Sequence, residues 1–200
     1  MKFLSFPKTR QATDFSCGAA VTQAMLYYYG IEKREDEIGD ALGTDTDGTE
    51  PEAILAVLRK VGLRCRPGRM TVEGVRAWIK IDVPVILSIQ AWADDEPKDY
   101  TDRWGDGHYV VAVGYDDNGN FILEDPSILD QRGVLPADEL EKRWHDRTKD
   151  GHVMEHFGIA VWGKEPRFDP DKRIRILARQ VAARYLARGS NPAGCRSPSY

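Results

Sequence analysis

The chain has 200 residues, 42% hydrophobic and 30% charged, a mixture able to bury a core within one domain plus an appendage. A net charge of −4 argues against a basic nucleic-acid binder, and no window approaches the roughly 18 apolar residues of a membrane span. Three cysteines, Cys17, Cys65 and Cys195, are too few and too uneven for a disulfide framework.

The charge is unevenly spread, +6 from Lys164 onward and −10 before it, which marks the C-terminal end as a separate basic segment. Met1 to Pro7 lacks the about 7–15 apolar residues of a secretory signal. With so few cysteines, the expected location is cytoplasmic.

Residues 1–16 read as extended or loop. From Ser16 the positions Ala19, Ala20, Val21, Ala24, Met25 and Tyr28 have helical spacing, with Ser16 as the expected N-cap and Gly30 as the stop. A short helix over 35–42 follows. Pro51 opens a third helix that ends at Gly62, and Thr71 caps a fourth through Ile79. Past Pro84 the period changes. Val85-Ile86-Leu87-Ser88-Ile89 is a strand, 93–107 an acidic loop and His108–Tyr115 a second strand.

Asn118-Gly119 predicts a two-residue hairpin turn into Phe121-Ile122-Leu123. Residues 135–144 read as a helix and Phe157–Trp162 as a last strand. Helices first and antiparallel strands second make an α+β fold. The expected boundaries are a domain over 1–165 and a C-terminal segment over 166–200. In the latter a linker leads to a basic helix over 171–188 and a disordered end.

Cys17 stands where a loop enters a helix. The unpaired N–H groups and partial positive charge there favour thiolate over thiol. Gly18 is expected to keep the space over the sulfur open to substrate. A free cysteine is more often a small buried hydrophobe. Gln11 alters that balance: six residues upstream, its amide and the Cys17 N–H form a pair of donors for the oxyanion of acyl transfer.

Of the four histidines, His108 opens a strand, a rigid place for a base, and Gly105 and Gly107 leave room beside it. Alternation puts Val110 and Ala112 on the His108 face and Tyr109, Val111 and Val113 on the other. Asp125 ends the partner strand. A two-residue turn would pair His108 near residue 129, making Asp125 its neighbour on the next strand. There a carboxylate would orient the imidazole. A turn-forming Asp before Pro is the plainer reading of Asp125.

These motifs together, Gln11-x5-Cys17-Gly18 at a helix start, Gly107-His108-Tyr109-Val110-Val111-Ala112-Val113-Gly114-Tyr115, and Glu124-Asp125-Pro126, resemble the bacteriocin-processing (double-glycine leader) cysteine peptidase family and its stand-alone relatives. The likeness covers roughly residues 8–162. It implies a papain-like fold, with N-terminal helices packed on an antiparallel sheet. The implied activity is cleavage of peptide bonds by Cys17, His108, Asp125 and Gln11, with no metal or cofactor. The implied partner is a peptide or protein substrate, not nucleic acid. Alternatives are an inactive peptide-binding module of the same fold, or a thiol acyltransferase or amidase.

Two further motifs compete. His152-Val153-Met154-Glu155-His156 matches a zinc-peptidase pattern, but that chemistry needs a helix and a strand follows at once. Asp45-Thr46-Asp47-Gly48 opens like a calcium loop but lacks the Glu at its twelfth position, so a turn is expected. The acidic loop, with Asp94, Asp95, Glu96, Asp99, Asp102 and Asp106, would either select basic substrates or be a solvated flank.

Overall fold

The helices predicted from the apolar spacing form first along the chain. Ten of the twelve residues of α1 (Cys17–Tyr28) are buried, so this helix is central and apolar on all sides. Gly18, Ala19, Ala20 and Ala24 let its neighbours come close. α2 (Glu35–Leu42), α3 (Pro51–Lys60) and α4 (Val72–Lys80) follow. Thr71 caps α4 as expected, its hydroxyl accepting the Gly74 N–H at 3.1 Å. Ser16 does not cap α1: its hydroxyl bonds Thr13 and closes the turn before the helix.

The computed structural model describes residues 1–95 and 99–172. Met1–Pro170 form one compact unit, and of the other, Asp171–Tyr200, only the first two residues are described. The expected basic helix over 171–188 and the end beyond it fall outside the described residues from 173 onward.

A seven-stranded antiparallel sheet carries the helices. β1 (Lys2–Phe3) comes before α1, and β2 (Arg64–Arg69) lies between α3 and α4. β3 (Val85–Gln90), β4 (Gly107–Tyr115), β5 (Phe121–Glu124) and β6 (Gly133–Leu135) are followed by α5 (Ala137–Arg143). β7 (His145–Arg147) and β8 (Val153–Glu155) form a separate hairpin before β9 (Phe157–Trp162). The order across the sheet is β2-β9-β3-β4-β5-β6, and β1 pairs with β4 past the end of β3. Every residue of β3 is buried, as suits a central strand covered on both faces.

Several elements depart from the sequence pattern. β2 contains Pro67 and Gly68, which argue against a strand. It is tolerated because β2 is an edge, paired only with β9. The helix expected over 135–144 is trimmed to Ala137–Arg143, because Pro136 separates it from the strand that ends at Leu135. The β4–β5 turn is longer than two residues. Asp116 takes the N–H groups of Asn118 and Asn120 on one carboxylate oxygen, and its own N–H bonds Asn120 O.

The N-terminal arm is stitched onto the sheet by polar contacts. Leu4 N donates to Val113 O, Thr9 N to the Glu124 carboxylate at 2.5 Å, and Gln11 N to Pro126 O. Glu124 also pairs with Arg132, whose guanidinium donates to the Phe6 and Pro7 carbonyls. Both side chains are largely buried. Glu124→Gln strands the Arg132 charge and should destabilise the fold by about 3–5 kcal/mol, as broken buried pairs do. Chemical denaturation reads the change, and an unaltered midpoint would show that the pair does not hold the arm.

Candidate active site

Three chain segments distant in sequence meet at one end of the sheet. α1 presents Cys17 at its first residue, β4 presents His108 near its start, and Asp125 follows the last residue of β5. His108 Nε2 and Asp125 Oδ1 are 2.7 Å apart, and both residues are only 6% exposed. The Cys17 side chain also acts on the imidazole and favours its charged form. With Nε2 taken by Asp125, Nδ1 is the nitrogen left for the sulfur. Burial works against a charged His108, but Asp125 and Cys17 outweigh it and raise its pKa to about 9.

Asp125 is over-supplied with donors. Its Oδ1 also accepts Ser127 N at 2.8 Å, and Oδ2 accepts the Trp92 indole N–H at 3.0 Å. Burial raises its pKa, but the bond to His108 and the remaining donors prevail and hold the carboxyl below the ordinary aspartate value. The Ser127 bond makes Asp125 a turn former as well as the partner of His108.

The register that brings the pair together differs from the expected one. Val111 faces Glu124 and Ala112 faces Leu123, with a bulge before Gly114. Continued to His108, this register points to residue 127 instead of 129. The longer turn and the bulge draw Asp125 closer to His108.

Gln11 lies beside this group. Its Oε1 accepts the Ser127 hydroxyl at 3.1 Å and its Nε2 donates to Thr13 O at 3.0 Å, which leaves the second amide hydrogen uncommitted. Gly18 does not open space over the sulfur. A Cβ there would lie 2.6 Å from the Thr49 side chain, so its smallness lets α1 pack against the residue that leads into α3. Gly107 does face the cleft, where a Cβ would lie 2.8 Å from the Asp146 carboxylate.

A cleft of about 420 Å³ opens at Cys17. Thr49 and Glu50 line one side, and Gly107, Tyr109 and Asp146 are among its other walls. Tyr109, assigned by alternation to the face away from His108, donates its hydroxyl to Thr49 O at 3.2 Å and lines the same cleft as Cys17. Burial first, then the negative charges of Asp146 and Cys17, push its pKa well up.

The acidic loop supplies Trp104 and Gly105 to the cleft and none of its described carboxylates. Asp95 and Asp106 are instead paired with Arg103.

The other histidines lie apart from this group. His145 bonds Arg103 O, and His156 stacks on Trp144 and pairs with Glu141. His152 pairs with Asp150. The residues between His152 and His156 form β8, an extended segment rather than a helix. Among the described residues no three His, Cys, Asp or Glu side chains cluster to hold a metal ion. Asp45–Gly48 is a tight turn bonded across its ends.

Trp92, Asp146 and Ser127 belong to the site neighbourhood but carry no periodic signal. Trp92 alone leaves a trace in the sequence, as an aromatic at the mouth of a polar loop.

The Peptidase C39 family model matches residues 5–148. An uncharacterized protein of Methanothermobacter marburgensis is 27% identical over 120 residues, 60% of this chain and 70% of that protein. Among solved structures, one described as a putative C39-like peptidase from Bacillus anthracis superposes with a TM-score of 0.62 at 16% identity, covering 84% of this chain and 100% of that one. The peptidase domain of Streptococcus ComA, a bifunctional ABC transporter of a quorum-sensing pathway, gives 0.57 at 17% identity, over 82% and 98%. A double-glycine motif protease from an AMS/PCAT transporter, in complex with a leader peptide, gives 0.56 at 17%, over 82% and 99%. These structures share the papain-like fold described above. A family match over well more than half the chain, on a fold that the solved C39 domains share, places this protein in the Peptidase C39 family.

Proposed function

We propose that the chain is a cysteine peptidase that cleaves peptide bonds through Cys17, His108 and Asp125, with Gln11 in the oxyanion hole. The observation that carries this reading is the buried His108–Asp125 pair at 2.7 Å, set beside a cysteine at the head of α1 that favours the charged imidazole. Family membership and the leader peptide bound to one C39 relative support a peptide as the substrate.

The chemistry follows from who holds the proton. His108 keeps its charge to about pH 9, so at neutral pH an imidazolium faces the sulfur, and the nucleophile is the thiolate form of Cys17. The thiolate attacks the scissile carbonyl, and the negative charge moves to the carbonyl oxygen. The Cys17 N–H and the second amide hydrogen of Gln11 receive it. The Nδ1 proton passes to the leaving amine as the C–N bond breaks, which leaves an acyl-enzyme and a neutral imidazole. That imidazole then takes a proton from water, whose oxygen attacks the thioester. Collapse of the second oxyanion releases the acid and restores the thiolate and the imidazolium. Asp125 holds the ring so that Nδ1 stays on the sulfur throughout.

Cys17→Ala should abolish turnover while leaving the melting temperature near that of the parent. Residual activity above a few per cent, measured on a peptide library, would remove Cys17 from the reaction. An inert binding module is told apart with the parent protein: it would show no rapid alkylation of Cys17 by iodoacetamide at pH 6.

Gln11→Ala should lower kcat by about 10²–10³ with little change in KM, the usual cost of a lost oxyanion donor. An unchanged kcat would take Gln11 out of the site.

The working form needs His108 protonated, and its pKa is raised, so the imidazolium persists below about pH 9 and is lost as pH rises through that value. The alkaline limb of kcat/KM should therefore lie near pH 9. A limb near 6.5, the ordinary histidine value, would mean that Asp125 and Cys17 do not act on the ring.

A further inference from the structure

We propose that Trp92 is a positioning residue of this site: its indole N–H fixes the Asp125 carboxylate in the orientation that serves His108. The proposal rests on the peptidase reading above and extends it by one residue.

The geometry sets Asp125 between two partners. Oδ1 faces His108 at 2.7 Å and Oδ2 accepts Trp92 Nε1 at 3.0 Å. Rotation of the carboxyl about its own axis would exchange the oxygens, and the indole bond opposes that rotation. The Ser127 N–H holds Oδ1 from the chain side, so each oxygen has its own anchor. Asp125 is 6% exposed although Trp92 is 57% exposed. The indole thus helps cover the carboxylate while more than half of its own surface stays exposed. Burial of apolar area is a poor reason for a tryptophan placed this way.

The backbone makes the same point independently. Trp92 has φ of 63°, a conformation that side-chain-bearing residues rarely adopt. Bonds on both flanks hold it there. Gln90 O accepts from Arg143, Ala91 N donates to Asp106 O, and Ala93 N donates to the Tyr100 hydroxyl. The Arg143 guanidinium lies 3.7 Å over the Tyr100 ring and ties these contacts together. Strain that the surroundings maintain at a residue touching the site is the pattern of a functional constraint. A glycine would occupy this position without strain.

Two variants test the assignment. Trp92→Phe keeps the ring and loses the N–H. Trp92→Gly loses the whole side chain and relieves the backbone. Each should lower kcat roughly tenfold with KM within about twofold, the rate equivalent of one hydrogen bond to a charged group. In Trp92→Phe, which keeps the carboxylate covered, the acid limb of kcat/KM should move to higher pH, because Asp125 loses a donor that favours its charged form. Both variants should melt within a few degrees of the parent, with Trp92→Gly aided by the relieved φ.

An unchanged kcat in both variants overturns the proposal. So does a fall in kcat that tracks a fall in melting temperature while the pH profile stays fixed, since that is a structural role. Alkylation of Cys17 by iodoacetamide at pH 6 reads the same groups without a peptide, and it should slow about threefold or more in both variants. A parent protein that alkylates quickly but cleaves no peptide therefore sinks the peptidase reading alone. Equal alkylation rates in parent and variants sink the role of Trp92.

Discussion

A carboxylate and an imidazole buried against each other are costly unless every lone pair and proton finds a partner. The bond between His108 and Asp125 meets that condition, and much of the surrounding chain is arranged to meet it. β5 stops at Glu124, Pro126 prevents the strand from continuing, and Asp125 turns the chain by accepting Ser127 N. The same turn receives the N-terminal arm. Pro126 O takes Gln11 N, and the Ser127 hydroxyl bonds the Gln11 amide. Three residues at the end of one short strand therefore set the His108 partner, the Trp92 partner and the position of Gln11.

The wall of the cleft beside Gly107 rests on a second polar knot. Gln90 ends the wholly buried β3, and all of its side-chain polar atoms are used. Its Nε2 donates to His145 O and to Asp146, and its Oε1 accepts Asp106 N. Its backbone O accepts from Arg143. Ser88, two residues earlier, donates to the other Asp146 oxygen at 2.7 Å. These bonds attach β7 to the central sheet and fix the Asp146 carboxylate against Gly107. Burial raises the pKa of Asp146, and the bonds from Ser88, Arg147 N and Gln90 work against that. A fully satisfied buried network of this kind defines a single arrangement, whereas a half-satisfied one would cost more than an apolar core.

The features legible in the sequence are those with a period or a local cap. The helical spacing in 19–28, Pro51 at a helix start, Thr71 as a cap and the β-branched run at 85–89 each carry their own signal, and the structure has those elements there. What the sequence does not show comes from contacts remote along the chain. β2 carries Pro67 and Gly68 and exists because β9 lies beside it. β7 and β8 have three residues each, too short for any alternation to register. Gly18 looked like an opening because glycine has no side chain, yet Thr49 fills that volume from 31 positions away. The hairpin was placed correctly in outline, but Asp116 enlarged its turn by bonding two N–H groups beyond it. A shift of this size decides which residue stands near His108.

The cleft walls differ in how firmly they are held. On the Gly107 side the bonds are buried and involve Gln90, Ser88 and Asp146. On the other side the segment joining β7 to β8 is latched to the turn before α3. Lys149 Nζ pairs with Asp45 at 2.6 Å, and Lys149 N donates to Glu50 at 2.7 Å. These contacts are solvent-exposed, and a surface ion pair contributes only about 0–1 kcal/mol. Opening the latch thus costs little, while displacing Asp146 would break a buried network. The cleft therefore has a fixed wall beside Gly107 and a yielding one beside Lys149. Any change in the shape of the cleft falls on the Lys149 side.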